Sequence, residues 1–543
     1  MIDKRNHAAM KRPTVLLLCL LLAVNVFGCG RASPAAAESS EAAKTTEALS
    51  TSALTTPPAP DEATLLLEQV QKEADALRTS ILSSKTTLVK ADTFTEGETY
   101  NGTAYYVSSM GDDANDGRSP ETAWATLERV SGAALKRGDA VFFERGGTWN
   151  GQLFGRDGVT YSAYGEGEKP RFYGTSRIAS DPADWTLLAG TDNVWIYKDA
   201  VPDCGCIVFN EGEANGIRVT PWYIDGQWVP ANTPDRVFDV AKDLKDDLSF
   251  YSATDMFSTV PLTGREVPAD PRPLYLRCDA GNPAKVFSSV RFMLLGDTIV
   301  PGKDNVFDNL AILYCGSHGI FNWGSRLVVQ NCELGWIGGC IHYYVDGKEP
   351  MRFGNGVEND GSYDLYIVRN CYIHDIYDAG ASNQGDGRME NITYSGNLIE
   401  RCDYGIEIFC WTEADGDGNK NLYKNLLIEN NYILYSGYGW CVQRPVNNWD
   451  AAIMGHDAMT PCENYVIRNN VLCLAKTSLL VIGQTPEGEP TLSGNTYIQR
   501  ESAPMLFKWK MLAYRAGWDP GKVALLELDP GAKVAVGALT VKK

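Results

Sequence analysis

A short phrase recurs in the C-terminal half of the chain: Asn or Gly, then Asn or Cys, one variable residue, and then Leu or Ile. Its copies begin at Asn331, Asn370, Gly396, Asn430, Asn469 and, in a weaker form, Gly494. The closest copies lie 25 or 26 residues apart, whereas others are stretched to 34 or 39. A fixed minimum period with variable insertions indicates a repeat architecture, and the β-rich runs before the copies indicate that the repeat is built from strands.

The first position of the phrase predicts a sharp corner, because Asn and Gly tolerate the left-handed backbone conformation. The next position would stack on itself from coil to coil, and a column of Asn side chains can satisfy its own amides. We therefore predict an all-β fold, a right-handed parallel β-helix in which each coil contacts only its neighbours. An ordinary β-sandwich with Asn-rich turns is the alternative, but such turns would not keep phase with the apolar residue that follows.

The first 29 residues have the pattern of an export signal. Lys11 and Arg12 precede a short apolar run, as in a signal peptide rather than a spanning helix. Gly28 before Cys29 resembles the cleavage box of a bacterial lipoprotein. This predicts an exported protein that is lipidated at Cys29 and tethered to the membrane at the cell surface. Simple secretion is the alternative.

The rest of the chain is expected to divide into several segments. Residues 30–60 have the composition of a flexible tether, and apolar residues at helical spacing between 65 and 81 predict a short helix. Between about 180 and 290 the coil phase disappears, which indicates a small inserted β-sandwich. The predicted segments are a signal peptide (1–29), a tether with the short helix (30–100), an N-terminal cap with the first coils (101–180), the inserted sandwich (181–290), the main coils (291–500) and a C-terminal cap or tail (501–543).

Composition limits the partners and cofactors. The net charge of −19 argues against nucleic acid as a partner. The acidic turn at 111–117 could hold calcium, but it lacks the EF-hand spacing, and Asx side chains stabilise turns unaided. No cofactor or metal is therefore required, with calcium left open. Cys332 and Cys371 hold equivalent places in neighbouring coils, where we expect buried thiols rather than a disulfide.

The chemistry is expected on one outer strip of the solenoid. Each coil is expected to turn a second corner, after which a strand begins with Gly. When these glycines are aligned from coil to coil, the outward-facing residues of the strands fall into columns. One column contains Glu358 and Glu407, and another contains His342, Asp360, Gln384 and Gln443. We predict that the carboxylates serve catalysis and that the second column binds sugar hydroxyls.

Asp378 and Asp403 precede two of these glycines in adjacent coils. Neighbouring strands lie about 4.8 Å apart, so these carboxylates should be close and one pKa should rise, as a general acid requires. Retaining glycosidases separate two carboxyl groups by about 5 Å and inverting ones by about 6.5–9.5 Å; both spacings are available, so the stereochemistry stays open. A solvated ladder of surface charge is the alternative interpretation.

Aromatic residues accompany these acids in the sequence. Tyr377, Tyr404 and Trp411 are adjacent to them or a few residues away. Because aromatic faces suit the C–H patches of sugar rings, we predict that these side chains contact the substrate.

Several motifs resemble a known group of proteins. These are Arg352-Phe353-Gly354-Asn355-Gly356-Val357-Glu358, Tyr377-Asp378-Ala379-Gly380 and Tyr404-Gly405-Ile406-Glu407. They resemble secreted bacterial β-helix proteins of the pectate-lyase-like superfamily, and in particular β-helix glycoside hydrolases such as those of family 141. The resemblance implies catalytic roles for Asp378, Asp403 and Glu407. Asn383 departs from the family pattern, in which a His precedes the Gln of this strand.

The leading hypothesis is a glycoside hydrolase that uses paired carboxylates on a plant or host polysaccharide. One alternative is a polysaccharide lyase with calcium-assisted β-elimination, for which Arg352, Arg388, Arg401 or Arg444 could act as the base. The other alternative is a glycan-binding or adhesive surface protein without catalysis, because a solenoid offers long stacked faces for binding.

Overall fold

The structure of the protein is a computed structural model. It describes residues 61–85, 89, 91, 94, 100–231, 233–253, 271–345, 349–409, 421–444, 450–456, 462–483, 488–508, 511–515 and 525–541. The predicted signal peptide, Cys29, the tether up to residue 60 and Trp411 lie outside the described residues.

Three ten-stranded sheets wind around a common apolar core. Sheet 1 contains Ala104–Val107, Ala140–Glu144, Thr160–Tyr164, Asn305–Asp308, Leu327–Gln330, Tyr366–Arg369, Arg388–Ser395, Leu422–Glu429, Cys462–Arg468 and Thr491–Ser493. Sheet 2 contains Thr148–Asn150, Arg171–Tyr173, Ala311–Cys315, Glu333–Ile337, Tyr372–Ile376, Leu398–Glu400, Tyr432–Leu434, Val471–Cys473, Thr496–Arg500 and Lys533–Gly537. Sheet 3 contains Leu153–Phe154, Ile299–Val300, Ile320–Trp323, Val357–Asp360, Ala379–Gln384, Tyr404–Ile408, Ala451–Gly455, Ser478–Ile482, Pro504–Lys508 and Met511–Arg515.

Each coil visits sheets 1, 2 and 3 in that order, and strands of successive coils pair in parallel. The exception is the last pair of sheet 3, Pro504–Lys508 with Met511–Arg515, which is antiparallel. The predicted right-handed parallel β-helix is therefore confirmed.

The recurrent phrase forms the corner between sheets 1 and 2. Its first residue has a positive φ in every copy, for example 50° at Asn370 and 64° at Gly396. The second residue builds a buried ladder, in which the amide of Asn397 donates to Asn431 at 2.9 Å and that of Asn431 donates to Asn470 at 2.9 Å. Asn495 ends the ladder on Asp529. The side chains at the two upstream positions, Cys332 and Cys371, are free buried thiols, as expected.

A pair of smaller sheets is inserted between the early and the main coils. One antiparallel sheet consists of Ala214–Asn215, Cys204–Phe209, Val290–Leu294 and Ser176–Ile178. The other sheet consists of Ile217–Arg218, Ser249–Ser252, Leu274–Arg277, Val194–Tyr197 and Trp185–Leu187. Side chains from both sheets, such as Phe292 and Leu276, share one buried cluster, so the insertion is a small β-sandwich.

Smaller elements complete the described structure. Helix Glu62–Leu82 packs Leu67, Val70 and Ile81 against apolar side chains on the outside of sheet 2. The other elements are helices Leu127–Gly132, Val240–Asp243 and Pro283–Val286, the 3-10 turns Pro120–Thr122, Pro182–Asp184, Asn210–Gly212 and Trp440–Gln443, and the hairpins Trp222–Ile224 with Gln227–Val229 and Cys340–Val345 with Glu349–Phe353. Across the part of the chain that the structure describes, no helix is both long and apolar enough to cross a bilayer.

Candidate active site

The outer face of sheet 3 carries two parallel rows of polar and aromatic side chains. In the first row the strand register places Glu358 beside Ser382 and Ser382 beside Glu407. In the second row Asp360 lies beside Gln384. The columns predicted from the glycines are therefore correct for the strands that follow Gly356, Gly380 and Gly405.

The predicted columns are wrong at the other two glycines. Gly338 leads into the hairpin Cys340–Val345 with Glu349–Phe353, and Gly439 leads into the 3-10 turn Trp440–Gln443. Both segments are insertions at the corner between sheets 2 and 3. The strands that actually flank the rows are Ile320–Trp323 and Ala451–Gly455.

His342 and Gln443 are consequently not members of the rows. The ring of His342 lies in the hairpin, with its centroid 5.2 Å from that of His318. The side-chain amide of Gln443 binds backbone of the inserted sandwich, accepting from Arg218 N and donating to Gly216 O, both at 2.9 Å. Gln443 is thus committed to a structural contact rather than to a substrate.

Asp378 and Asp403 are neighbours in adjacent coils, as predicted. Both contact one guanidinium nitrogen, because Arg444 Nη1 lies 2.9 Å from Asp378 Oδ1 and 2.5 Å from Asp403 Oδ2. The two carboxylate oxygens are therefore no farther apart than the sum of those distances. Asp378 Oδ1 nevertheless accepts no well-aligned hydrogen bond from the described residues, so its contact with Arg444 is electrostatic.

Burial dominates the protonation of both aspartates. Loss of hydration raises the pKa of Asp378 to about 7, because the attraction of Arg444 is outweighed and the charge of Glu407 adds to the rise. Burial also raises the pKa of Asp403 well above its usual value, against the pull of Arg444 and with Asp450 beside it. The guanidinium of Arg444, held among these carboxylates, has its pKa raised and stays protonated, although burial opposes this.

Glu407 is held in place by two side chains. His456 Nε2 lies 2.7 Å from Glu407 Oε1, and Gln384 Nε2 donates to Glu407 Oε2 at 2.9 Å. Gln384 also donates to Ser382 Oγ at 3.3 Å. One oxygen of Glu407 therefore faces an imidazole and the other faces an amide.

Glu358 lies two strands from Glu407, and the two are linked through Ser382, whose hydroxyl accepts from both Asn355 and Gln384. Asn355 donates to Glu358 Oε2 at 2.6 Å, and His318 Nδ1 lies 3.2 Å from the same oxygen. The backbone N–H of Asn355 donates to His318 Nδ1, so this nitrogen acts as an acceptor in the structure. Glu358 is thus held by the amide of Asn355, with the His318 ring in contact beside it.

The two tyrosines do not offer ring faces to a substrate, contrary to the prediction. Tyr377 and Tyr404 are both 0% exposed. The guanidinium of Arg352 covers the ring of Tyr377 at 4.5 Å, and that of Arg444 covers Tyr404 at 5.0 Å. These rings are the apolar support under the two arginines, and their burial helps to dehydrate the aspartates beside them.

Four residues of the site were not predicted as site members. His318, His456 and Asp450 had no assigned role, and Arg444 was considered only as a base. One signal was present in the sequence, since the chain has only 5 His; in the structure two of them, His318 and His456, contact the carboxylates of the first row. Arg444 and Asp450 lie in or beside the insertion that contains the 3-10 turn Trp440–Gln443. The repeat does not predict which way the side chains of this insertion face.

The acidic turn near the N-terminus is structural. Asp113 Oδ1 accepts from the N–H groups of Ala125 and Thr126, and Asp112 and Asp116 each accept from an N–H two residues later. Among the described residues, no group of three His, Cys, Asp or Glu side chains is arranged to hold a metal ion.

Comparison with known proteins gives limited matches. No family model matches the chain. A lacto-N-biosidase of Bifidobacterium longum subsp. longum is 42% identical over 82 residues, which cover 13% of this chain and only 5% of that protein. The chain thus matches a small fraction of the length of this curated relative.

Several solved structures align with most of the chain at low identity. A complex of XylC with xylose has 11% identity and a TM-score of 0.37, covering 80% of this chain and 82% of that one. A glycoside hydrolase has 11% identity and a TM-score of 0.38, covering 81% and 98%. The GH136 lacto-N-biosidase of Eubacterium ramulus has 12% identity and a TM-score of 0.34, covering 81% and 68%. At these scores the similarities carry no information about the substrate or the mechanism of this chain.

Proposed function

We propose that the protein is a glycoside hydrolase that acts on a plant or host glycan. The observation that carries the proposal is a pair of interacting carboxyl groups in different environments. Asp378 is buried with its pKa raised to about 7, whereas Glu407 is fixed by His456 and Gln384. A carboxyl group that keeps its proton near neutral pH, with a second carboxyl group beside it, is the requirement for general acid catalysis next to a base or nucleophile.

In this mechanism Asp378 is the acid. Its proton passes to the glycosidic oxygen as the bond from that oxygen to the anomeric carbon breaks. Glu407 meets the positive charge that develops on the sugar, either by direct attack or by taking a proton from a water molecule. Arg444 stays protonated and pairs with the Asp378 carboxylate after the proton has left. In the direct-attack route this carboxylate then takes a proton from the water that cleaves the bond between the sugar and Glu407. In the other route Glu407 releases its proton to solvent, and solvent restores the proton of Asp378.

Asp403 fits the second catalytic role less well than Glu407. Its side chain is 2% exposed and is hydrogen-bonded within a closed group formed with Arg444 and Asp450. Its charge state instead tunes Asp378 through the arginine that they share. Asp403 is therefore a positioning residue in this proposal, and Glu407 is the partner of the acid.

The arginines do not favour a lyase. Arg444 is ion-paired with two aspartates, and Arg401 with Asp375 at 2.9 Å. Arg352 is 3% exposed and donates to backbone carbonyl groups. Arg388 lies on sheet 1, where it pairs with Glu390. Each of these four arginines is thus engaged with a carboxylate or a backbone carbonyl group and is not placed as a base for β-elimination.

Digestion of a panel of polysaccharides tests the function. We expect the purified protein to release reducing ends from at least one glycan, with or without EDTA, and Glu407→Gln to lower kcat by about 10³-fold. Asp364→Asn, which removes an exposed carboxylate outside the rows, is the matched control and should keep full activity. An unsaturated product that disappears with EDTA would assign a lyase, and inactivity on the whole panel would leave the glycan-binding alternative.

We also propose that the protein is exported and anchored through Cys29, as the sequence pattern of its first 29 residues indicates. Metabolic labelling with a fatty-acid analogue is expected to mark the parent protein and not Cys29→Ser. The variant should appear in the medium or in an uncleaved precursor form. Equal labelling of the two proteins would contradict lipidation at this residue.

A further inference from the structure

The outer face of sheet 3 carries aromatic side chains next to the carboxylate rows. The strand Ile320–Trp323 pairs in register with Val357–Asp360, so Phe321 lies beside Glu358 and Trp323 beside Asp360. Trp323 is 62% exposed, which is unusual for so large an apolar side chain. Its ring meets Phe321 edge-on at 4.9 Å.

The aromatic contacts continue toward the hairpin. Phe321 stacks on His318 with their centroids 4.9 Å apart, and His318 meets His342 at 5.2 Å. Four rings thus form one continuous strip that ends at the solvent with Trp323. His318 also contacts Glu358, so the strip is joined directly to the first row of polar side chains.

The strip and the site lie along one line across the strands. Ile320–Trp323, Val357–Asp360, Ala379–Gln384 and Tyr404–Ile408 are consecutive strands of sheet 3. Three strand spacings, about 14 Å, therefore separate the strand of Trp323 from that of Glu407. This distance corresponds to roughly three sugar units of an extended glycan chain. Between them lie the carboxylate of Asp360 and the amide of Gln384, which can bind sugar hydroxyls.

We propose that Trp323 and Phe321 form a distal sugar-binding subsite, and that the protein recognises an uncharged glycan chain of about four or more sugars. The assignment rests on the proposed function for the position of the cleaved bond. The C–H faces of a pyranose ring pack against an exposed indole, which buries apolar surface with little loss of side-chain freedom. The carboxylates of Glu358 and Asp360 would repel a uronate chain at the same place, which sets the charge preference.

A glycan array tests the subsite without requiring turnover. The array carries neutral and uronate-containing polysaccharides together with their oligosaccharides of one to six units. The proteins are the parent, Trp323→Ala, Trp323→Phe and, as a control, Leu187→Ala, which removes an exposed apolar side chain from the inserted sandwich. We expect the parent to bind neutral chains of four or more units, and Trp323→Ala to bind them about tenfold more weakly. Trp323→Phe should retain part of the affinity, and Leu187→Ala should match the parent.

Three results would overturn the subsite: no binding by the parent, equal binding by Trp323→Ala and the parent, or a preference for uronate chains. The digestion panel separates this failure from that of the proposed function. A parent that binds through Trp323 but digests nothing would refute the hydrolase and leave the subsite. If the parent digests a glycan and Trp323→Ala has the same kcat/KM as the parent on long and on short chains, the subsite is refuted and the hydrolase remains.

Discussion

Replacing Asp378 by Asn is expected to abolish turnover while making the folded protein more stable above pH 7. The side chain is buried, and its pKa is raised to about 7 from an ordinary 3.8. A carboxyl group with a raised folded pKa contributes stability that is fully present below its unfolded pKa. This contribution is lost as the pH rises from about 4 to about 7, because the folded state must then bury the charge. Asn cannot ionise, so the variant escapes the loss, which we expect to be on the order of 2–4 kcal/mol at pH 8.

Urea unfolding of the parent and the variant at pH 5 and pH 8 measures the effect on stability. The effect on turnover is measured as kcat on the glycan that the digestion panel identifies. The activity of the parent should fall above pH 7 as Asp378 loses its proton, and the variant should be inactive throughout. Asp364→Asn, with an exposed carboxylate, is the control for a general effect of charge. A variant that is destabilised equally at both pH values would show instead that Asp378 serves as an ionised anchor for Arg444.

The periodic part of the fold was predictable because each coil repeats one local requirement. The left-handed backbone conformation at the first corner restricts that position to Asn or Gly. The side chain at the buried position after it must have its polar groups hydrogen-bonded. Both constraints appear in the sequence as residue types that recur at the same position of each coil. The same corner occurs at Asn309, with φ of 63°, but it does not match the recurrent phrase because Leu310 follows in place of Asn or Cys.

The second corner was not predictable. Its residues with positive φ include Trp336, Asp375, Arg401 and Tyr435, which share no property that a sequence pattern could reveal. Tertiary contacts hold them there; Arg401, for example, donates to Asp375 in the coil before it. Two insertions enter at this corner, and both start with Gly. For this reason Gly338 and Gly439 were mistaken for the starts of sheet 3 strands.

The candidate site was therefore predicted in part. Asp378, Asp403, Glu407 and Glu358 lie on or beside regular strands, so their neighbours follow from the period. The side chains that contact them, Arg444 and His456, come from a segment without period and from the end of a strand whose coil contains that insertion. Sequence spacing therefore predicts the carboxylates but not the basic side chains that hold them.

The largest loss of stability is expected from Arg444→Met. Arg444 is the cation that contacts both Asp378 and Asp403, and its side chain is only 11% exposed. Without it, two buried carboxyl groups and the adjoining Asp450 would have to stay protonated or lie buried as unpaired charges. Removal of one partner of a buried ion pair costs about 3–5 kcal/mol. The cost should be greatest at pH 8 and smaller at pH 5, where protons can replace the arginine.

A combination of substitutions identifies the cause of that loss. Asp378→Asn together with Asp403→Asn should restore most of the stability of Arg444→Met, because the buried charges then disappear with their partner. Arg401→Met is the matched control: it also removes an arginine from a carboxylate in the preceding coil, but its side chain is 34% exposed and water can replace it. Its loss should be closer to 1 kcal/mol. If the double Asn background failed to rescue Arg444→Met in urea unfolding, Arg444 would stabilise the fold through its packing over Tyr404 and not through the charges of the aspartates.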